Sequence, residues 1–422
     1  MAGEWEEVSV AELQASGALL VEDGNHGENR PRPNEFSTEG IQFIRAADMD
    51  SGRVLFERAQ RINEIARQRV RKGIGAGGDV LLSHKGTVGK VAYVPLTAPP
   101  FVCSPQTTFW RVKDPTQLDR RYIYFYLLSR AFREQLDSRK GETDMADYVS
   151  LTTQRTLKVT VPPLAEQKAI ASVLGALDDK IELNRRTNAT LEAMARALFQ
   201  SWFVDFDPVR AKLDGRQPAG MDAATAGLFP ASFYETKVGH IPVGWQLGRL
   251  ADLCNLKRGH DLPTSSRTAG PIPVISSSGI SGTHSETNVR GPGVVTGRYG
   301  TIGKVFYVEA DYWPLNTTLY VEDFKANPPR FIFHALGQVD FANYTDKAAV
   351  PGVNRNHLHE EPTVLPTMEA RQAFAHAVAP LWLQHAANDR LSHTLATLRD
   401  TLLPKLLSGE LRVGEAREAL SA

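Results

Sequence analysis

Two loops of similar make-up, Ser83–Lys90 (SHKGTVGK) and Thr296–Lys304 (TGRYGTIGK), gather the side chains with the most chemistry to offer. The first presents Ser83, His84, Lys85, Thr87 and Lys90, and the second Thr296, Arg298, Tyr299, Thr301 and Lys304. Their glycines allow close backbone approach. Lys90 and Lys304 suit phosphates, and Lys85 and Arg298 can reach guanine edges in a major groove. Such side chains could make noncovalent contacts with DNA; the plainer reading is a pair of bare turns, since Gly-rich hairpins are often only that. Gln106, Thr107 and Thr108, and again Asn316, Thr317 and Thr318, offer donors and acceptors suited to adenine. The alternative for these is a set of buried strand groups satisfying the backbone. Thr152–Arg155 (with Gln154 and Arg155) and Asn354–Asn356 (with Arg355 between) are further contact candidates.

Covalent chemistry is not visible. Asn327-Pro328-Pro329-Arg330 resembles the Asn-Pro-Pro-aromatic motif of amino-methyltransferases, but an arginine stands where a flipped base would need a ring, so it reads as a turn. Gly73–Gly78 fits GxGxxG, yet it follows a basic, helical-looking run and precedes a strand, the reverse of the dinucleotide-binding order. There is no GK[ST] phosphate loop, no HExxH and no metal-ligand spacing among the eleven histidines.

The loops must be held by strands, and the strand signals come twice. GDVLLSHKGTVGKVAYVP (78–95) and GPGVVTGRYGTIGKVFYVE (291–309) each read as a hairpin, with Gly86, Thr87, Gly89, Lys90 and Tyr93 matching Gly300, Thr301, Gly303, Lys304 and Tyr307. Trp5–Leu13 is echoed by Trp245–Leu253, Ile41–Ile44 by Ile272–Ile275, and Val149–Leu157 by Val350–Leu358. SPQTTFWRV (104–112) reads as a strand, and RYIYFYLLSRAFREQL (121–136) as a helix with core aromatics. Residues 58–72 carry six basic groups against one acid and read as a basic helix or a solvated face. The offset between copies falls from 240 to 204, so the first copy is longer, mostly in loops.

Each copy ends in a long apolar stripe. From Ile170 to Trp202 one heptad seam holds Leu174, Ile181, Asn188, Ala195 and Trp202, and the other Ile170, Leu177, Asn184, Leu191 and Leu198. A helix of that length spans roughly 50 Å and needs a partner along its stripe. A shift of 204 positions supplies one: Leu381, Asn388, Leu395 and Leu402 take the places of Leu177, Asn184, Leu191 and Leu198. Pro380 is expected to kink that second helix or delay its start. An antiparallel pair about a pseudo-two-fold would let the asparagines meet at the centre and fix register. The fold class expected is therefore α+β, an internal repeat of two globular units and two long helices forming an antiparallel coiled coil.

At 422 residues the chain is too long for one ordinary core. With 48 basic and 48 acidic residues its balance argues against an indiscriminate polyanion binder, though not against local basic surfaces. Cys103 and Cys254 make no disulfide framework. No apolar run approaches membrane length and MAGEWEEV is not a signal peptide, so a cytoplasmic location and no membrane partner are expected.

PPLAEQKAIASVLGALDDKIELNRR, LEAMARALFQSWFVDFDPVRAK, GHIPVGW and the closing LRDTLLPKLLSGELRV together resemble the specificity subunit of Type I restriction–modification systems over nearly the whole chain. The second helix departs from the pattern, opening with LPTMEARQ in place of PPLAEQ. The resemblance implies target-recognition domains at 1–161 and 241–362, spacer helices at 162–206 and 363–422, and a linker at 207–240. It also implies a non-catalytic subunit that reads a bipartite, asymmetric site in double-stranded DNA, with no cofactor of its own. Two modification subunits would bring S-adenosylmethionine for N6-adenine methylation, and restriction subunits ATP and magnesium. An orphan scaffold that binds those subunits without reading DNA is the alternative.

Overall fold

The computed structural model describes residues 5–140, 147–345 and 352–414. The backbone divides into two compact units, Met1–Asn184 with Asp389–Ala422, and Arg185–Asn388. Each contains one copy of the globular repeat and half of each long helix.

In the first unit, apolar runs buried at successive positions, such as Val80-Leu81-Leu82 and Phe109-Trp110, build a six-stranded sheet. Its order is Leu19–Asp23, Thr107–Val112, Val80–Ser83, Val91–Tyr93, Gly52–Val54 and Met49–Asp50. A five-stranded sheet runs from Phe36–Ser37 through Gln60–Ile62, Ile41–Ile44 and Phe101–Cys103 to Ile74–Gly75. The aromatic run at 121–136 is two helices, Arg120–Leu128 and Arg130–Asp137, because Ser129 caps the second through a bond to the Phe132 amide. Tyr122, Phe125 and Phe132 are buried with Trp110, the core role expected for those rings.

The second unit repeats the centre of this plan with fewer strands. Asn255–Arg258, Thr318–Asp323, Gly293–Gly297 and Val305–Val308 form a four-stranded antiparallel sheet, and Gly279–His284, Ile272–Ser276 and Trp313–Pro314 a three-stranded one. In both units a two-stranded clasp joins the start of the copy to the residues just before its long helix. Glu6 pairs with Val161 in one clasp, and Gln246 with Leu365 in the other. That pairing is the physical form of the offset that drifts from 240 to 204.

The long helices run Leu164–Phe203 and Met368–Ser408. Along the seams Leu174, Leu177, Asn184, Asn388 and Leu402 are buried, and Ile181, Leu191, Leu198, Leu381 and Leu395 half-buried. In the first unit Asp178 meets Arg399 at 2.6 Å and the Asn184 amide donates to the Ser392 hydroxyl at 3.1 Å. In the second, the Asn388 amide donates to the Asn188 carbonyl oxygen at 2.8 Å, and His385 meets Glu192 at 2.9 Å. In both, ascending positions on one helix meet descending positions on the other, so the pairing is antiparallel. Moving 204 positions turns Asn184 into Asn388 and Asn188 into Ser392, so the two asparagine bonds are copies of each other.

Three expectations change. The stretch 207–240 is folded: helices Asp207–Leu213 and Ala223–Gly227 and a hairpin, Phe233–Thr236 with Gly239–Pro242, bury Val209, Phe229 and Ile241. Residues 58–72 are not one basic helix but the strand Gln60–Ile62 and a short helix, Glu64–Arg69, capped by Asn63; Arg69 pairs with Glu35 and Lys72 with Asp23. Pro380 lies inside the helix Met368–Ser408 and does not delay its start. Its residue is exposed, as is His376, whose carbonyl loses its helical donor to a site open to water. Among the described residues no helix is long and apolar enough to cross a membrane.

Candidate nucleic-acid interface

Both glycine-rich loops connect neighbouring antiparallel strands, and both have the same backbone path. Gly86 and Gly89 have φ of 77° and 95°, and Gly300 and Gly303, 214 positions on, 78° and 83°. Only glycine enters that region without strain. Buried hydroxyls close the hairpins: the Lys90 amide donates to the Ser83 hydroxyl at 2.8 Å, and the Thr296 hydroxyl to the Lys304 carbonyl at 3.1 Å.

Each loop is then stitched to two other segments. In the first unit His84 N–H donates to the Gln106 carbonyl, and the Val149 N–H to the His84 carbonyl, each at 2.9 Å; Gly86 N–H reaches Asp147. In the second, Arg298 N–H donates to the Thr317 carbonyl at 2.8 Å and the Val353 N–H to the Arg298 carbonyl at 2.9 Å. Lys85 bridges Tyr148 and Tyr299 bridges Gly352. So loop, strand-entry corner and pre-helix segment converge in both units.

The stitching corrects the alignment by one residue. Thr107 pairs with Ser83, and its hydroxyl bonds the Ser104 carbonyl; Thr318 pairs with Gly297 and its hydroxyl bonds the Leu315 carbonyl. Gln106 therefore corresponds to Thr317 and not to Asn316. The Asn316 amide is engaged by the Asp261 carboxylate.

Several candidates lie inside the fold and have no surface to give a ligand. Ser83, His84, Thr107, Thr108, Gln154, Thr296 and Thr318 are buried. Gln154 clamps the strand to the pre-helix segment, accepting from the Thr108 hydroxyl at 3.1 Å and donating to the Val149 carbonyl at 3.2 Å. Burial holds the His84 pKa down, a bond from the ring to the Val149 carbonyl opposing it only in part, which favours the neutral imidazole. Asn354 caps the helix Arg355–His359 through the Asn356 amide. Lys90 is exposed, but its ammonium donates to the Ala46 and Met49 carbonyls at 3.1 Å each, anchoring the loop.

What remains at the surface is a compact set. Lys85, Thr87, Gln106 and Arg155 are exposed in the first unit, and Thr301, Lys304 and Arg355 in the second, with Arg298, Tyr299 and Thr317 half-buried. The Lys85 ammonium stands 5.7 Å from the Tyr148 ring centroid, and the Arg298 guanidinium 4.4 Å from that of Tyr299. Tyr148 was missed in the sequence; a lone aromatic beside Val149, the start of the echoed segment, was the available signal.

In both units a cation lies over a ring at this loop corner, beside exposed hydrogen-bonding groups, a set of side chains compatible with contact to a nucleic acid. A family model for the Type I restriction modification DNA specificity domain matches residues 5–193 and 242–387, and the chain belongs to that family. It is a specificity subunit of the Type I restriction–modification class, the non-catalytic DNA-recognition part. The chain is similar to the Type I restriction enzyme HindI specificity subunit of Haemophilus influenzae, 24% identical over 457 residues that cover 92% of this chain and 98% of that one. It is also similar to the MjaIX specificity subunit of Methanocaldococcus jannaschii, 22% identical over 365 residues, covering 80% and 78%. Among solved structures, the Type I restriction–modification S subunit from M. genitalium aligns with a TM-score of 0.49 at 16% identity, covering 95% of this chain and 96% of that one.

Proposed function

We propose that each unit reads one half of a bipartite, asymmetric site in double-stranded DNA, and that the helix pair sets the interval between halves. The observation that carries this reading is the twin corner: one backbone scaffold, built twice, with different exposed side chains in each copy. Two copies with unlike surfaces suit two unlike half-sites, as paired readers on a spacer do elsewhere. Lys85, Thr87, Gln106, Tyr148 and Arg155 form the contact set of the first unit. Arg298, Tyr299, Thr301, Lys304, Thr317 and Arg355 form that of the second.

The helix pair also offers a docking scaffold for two modification subunits, which carry S-adenosylmethionine and methylate adenine at N6. Restriction subunits using ATP and magnesium complete an endonuclease. This chain contributes recognition and positioning. The test is adenine methylation across the genome of cells that carry the system, read by single-molecule sequencing with and without this gene. Loss of one bipartite N6-methyladenine motif is expected. If the modification subunit is expressed and no motif disappears, the reading fails and a scaffold role replaces it.

A further inference from the structure

Arg298 differs from the other well-placed arginines of the molecule. Arg111 pairs with Asp79 at 2.7 Å, Arg399 with Asp178 at 2.6 Å, and Arg45 with Asp48 at 3.1 Å. The half-buried Arg298 side chain has neither an anion nor a hydrogen-bond acceptor among the described residues; its one specific contact is the Tyr299 ring at 4.4 Å. Its N–H donors are therefore open to a bound acceptor. The backbone beneath it is fixed on both sides, Arg298 N–H by Thr317 and Arg298 C=O by Val353. The ring is fixed as well. Tyr299 packs so closely on Gly352 that a Cβ there would lie 2.1 Å from the ring.

We propose that Arg298 is the guanine-reading residue of the second unit, an inference that rests on the DNA reading above. With the guanidinium seated over the Tyr299 ring, its paired N–H groups supply a fork that matches the O6 and N7 acceptors of a guanine in the major groove. The first unit has no such device at that position. His84 takes the place of Arg298 and is buried, with no surface for a ligand, while the cation moves one residue along, to Lys85 over Tyr148. An ammonium is a point charge and cannot form the same planar fork. The half-site of the second unit therefore contains a G·C pair read through N7 and O6, and the first unit reads by a different contact.

The test uses the full chain assembled with its modification subunit, on duplexes carrying the motif found in the wild-type methylome. Replacing one guanine at a time with 7-deazaguanine removes the N7 acceptor and leaves phosphates and pairing intact. One substitution, in one half-site only, should weaken binding by wild type about tenfold. Arg298→Lys and Arg298→Ala should lose that sensitivity and accept other pairs there, while the other half-site and the gap stay unchanged. That retained half shows the variants are folded. Equal 7-deazaguanine sensitivity in wild type and both variants overturns the proposal. So does uniformly weaker binding with the motif unchanged, the signature of a phosphate contact. A wild-type chain with no motif sinks the DNA reading itself, which separates the two failures.

Discussion

The two loop corners share their backbone bonds and differ in almost every exposed side chain. In the first unit the corner is His84, Lys85, Gln106 and Tyr148; in the second, Arg298, Tyr299, Thr317 and Gly352 stand at the matching positions. The cation and the ring have moved. Where the first unit brings an aromatic from the pre-helix segment, the second has a glycine, and its own loop residue fills the space. Recognition chemistry can change this freely because the scaffold is held by main-chain groups, which every sequence supplies. The helix pair shows the same contrast. Both halves keep the asparagine bond, but only the first has the Asp178–Arg399 ion pair; 204 positions away stand Trp382 and Ala195, in the aromatic-rich core of the second unit.

The largest effect should come from that core. Phe374 is fully buried against Phe199, Phe203 and Phe331. Phe374→Ala should cost about 3–5 kcal/mol, with hydrogen exchange accelerating in the second unit far more than in the first. Equal acceleration in both would mean that the units are not separate cores.

Acid should act on the same core. Burial, reinforced by the Arg196 charge, holds the His334 pKa at about 4. The folded pKa is depressed, so the unfolded chain binds the extra proton between pH 6.5 and 4. Stability is complete above pH 6.5 and declines as pH falls toward 4, by up to about 3 kcal/mol. Denaturation midpoints measured from pH 7 to 4.5 should show this slope in wild type and a shallower one in His334→Phe. Identical slopes would assign the acid sensitivity elsewhere.

Much of this plan was legible in the chain. Heptad seams, hairpins with paired glycines and the 204-residue shift are periodic signals, which survive divergence of individual side chains. The folded stretch 207–240 was not, since its Gly, Pro and Ala content hides a few well-spaced apolar residues such as Val209 and Phe229. The alternation of Thr107 and Thr108 could not say which hydroxyl faces inward; both do, one bonding Ser104 and one Gln154. The one-residue slip at Asn316 had the same origin, because Thr-Thr pairs align equally well in either register. Tyr148 depended on a tertiary bridge to Lys85 that no local pattern encodes.

Smaller effects sharpen the contrast between helix halves and between corners. Asp178→Ala leaves Arg399 with only the exposed Asp400 carboxylate, and should destabilise the first unit by about 1–2 kcal/mol in urea titration. An unchanged midpoint would make the ion pair ornamental. Lys85→Ala should weaken DNA binding by about 1 kcal/mol, with the loss confined to one half-site. An equal loss on DNA lacking that half-site would reduce Lys85 to a general phosphate contact.

The central claim is that the units read independently, and exchanging residues 1–161 for those of a relative with a different specificity tests it most directly. Methylome sequencing should then show one half of the motif replaced, with the other half and the gap retained. A motif unchanged, or altered in both halves together, would contradict the account.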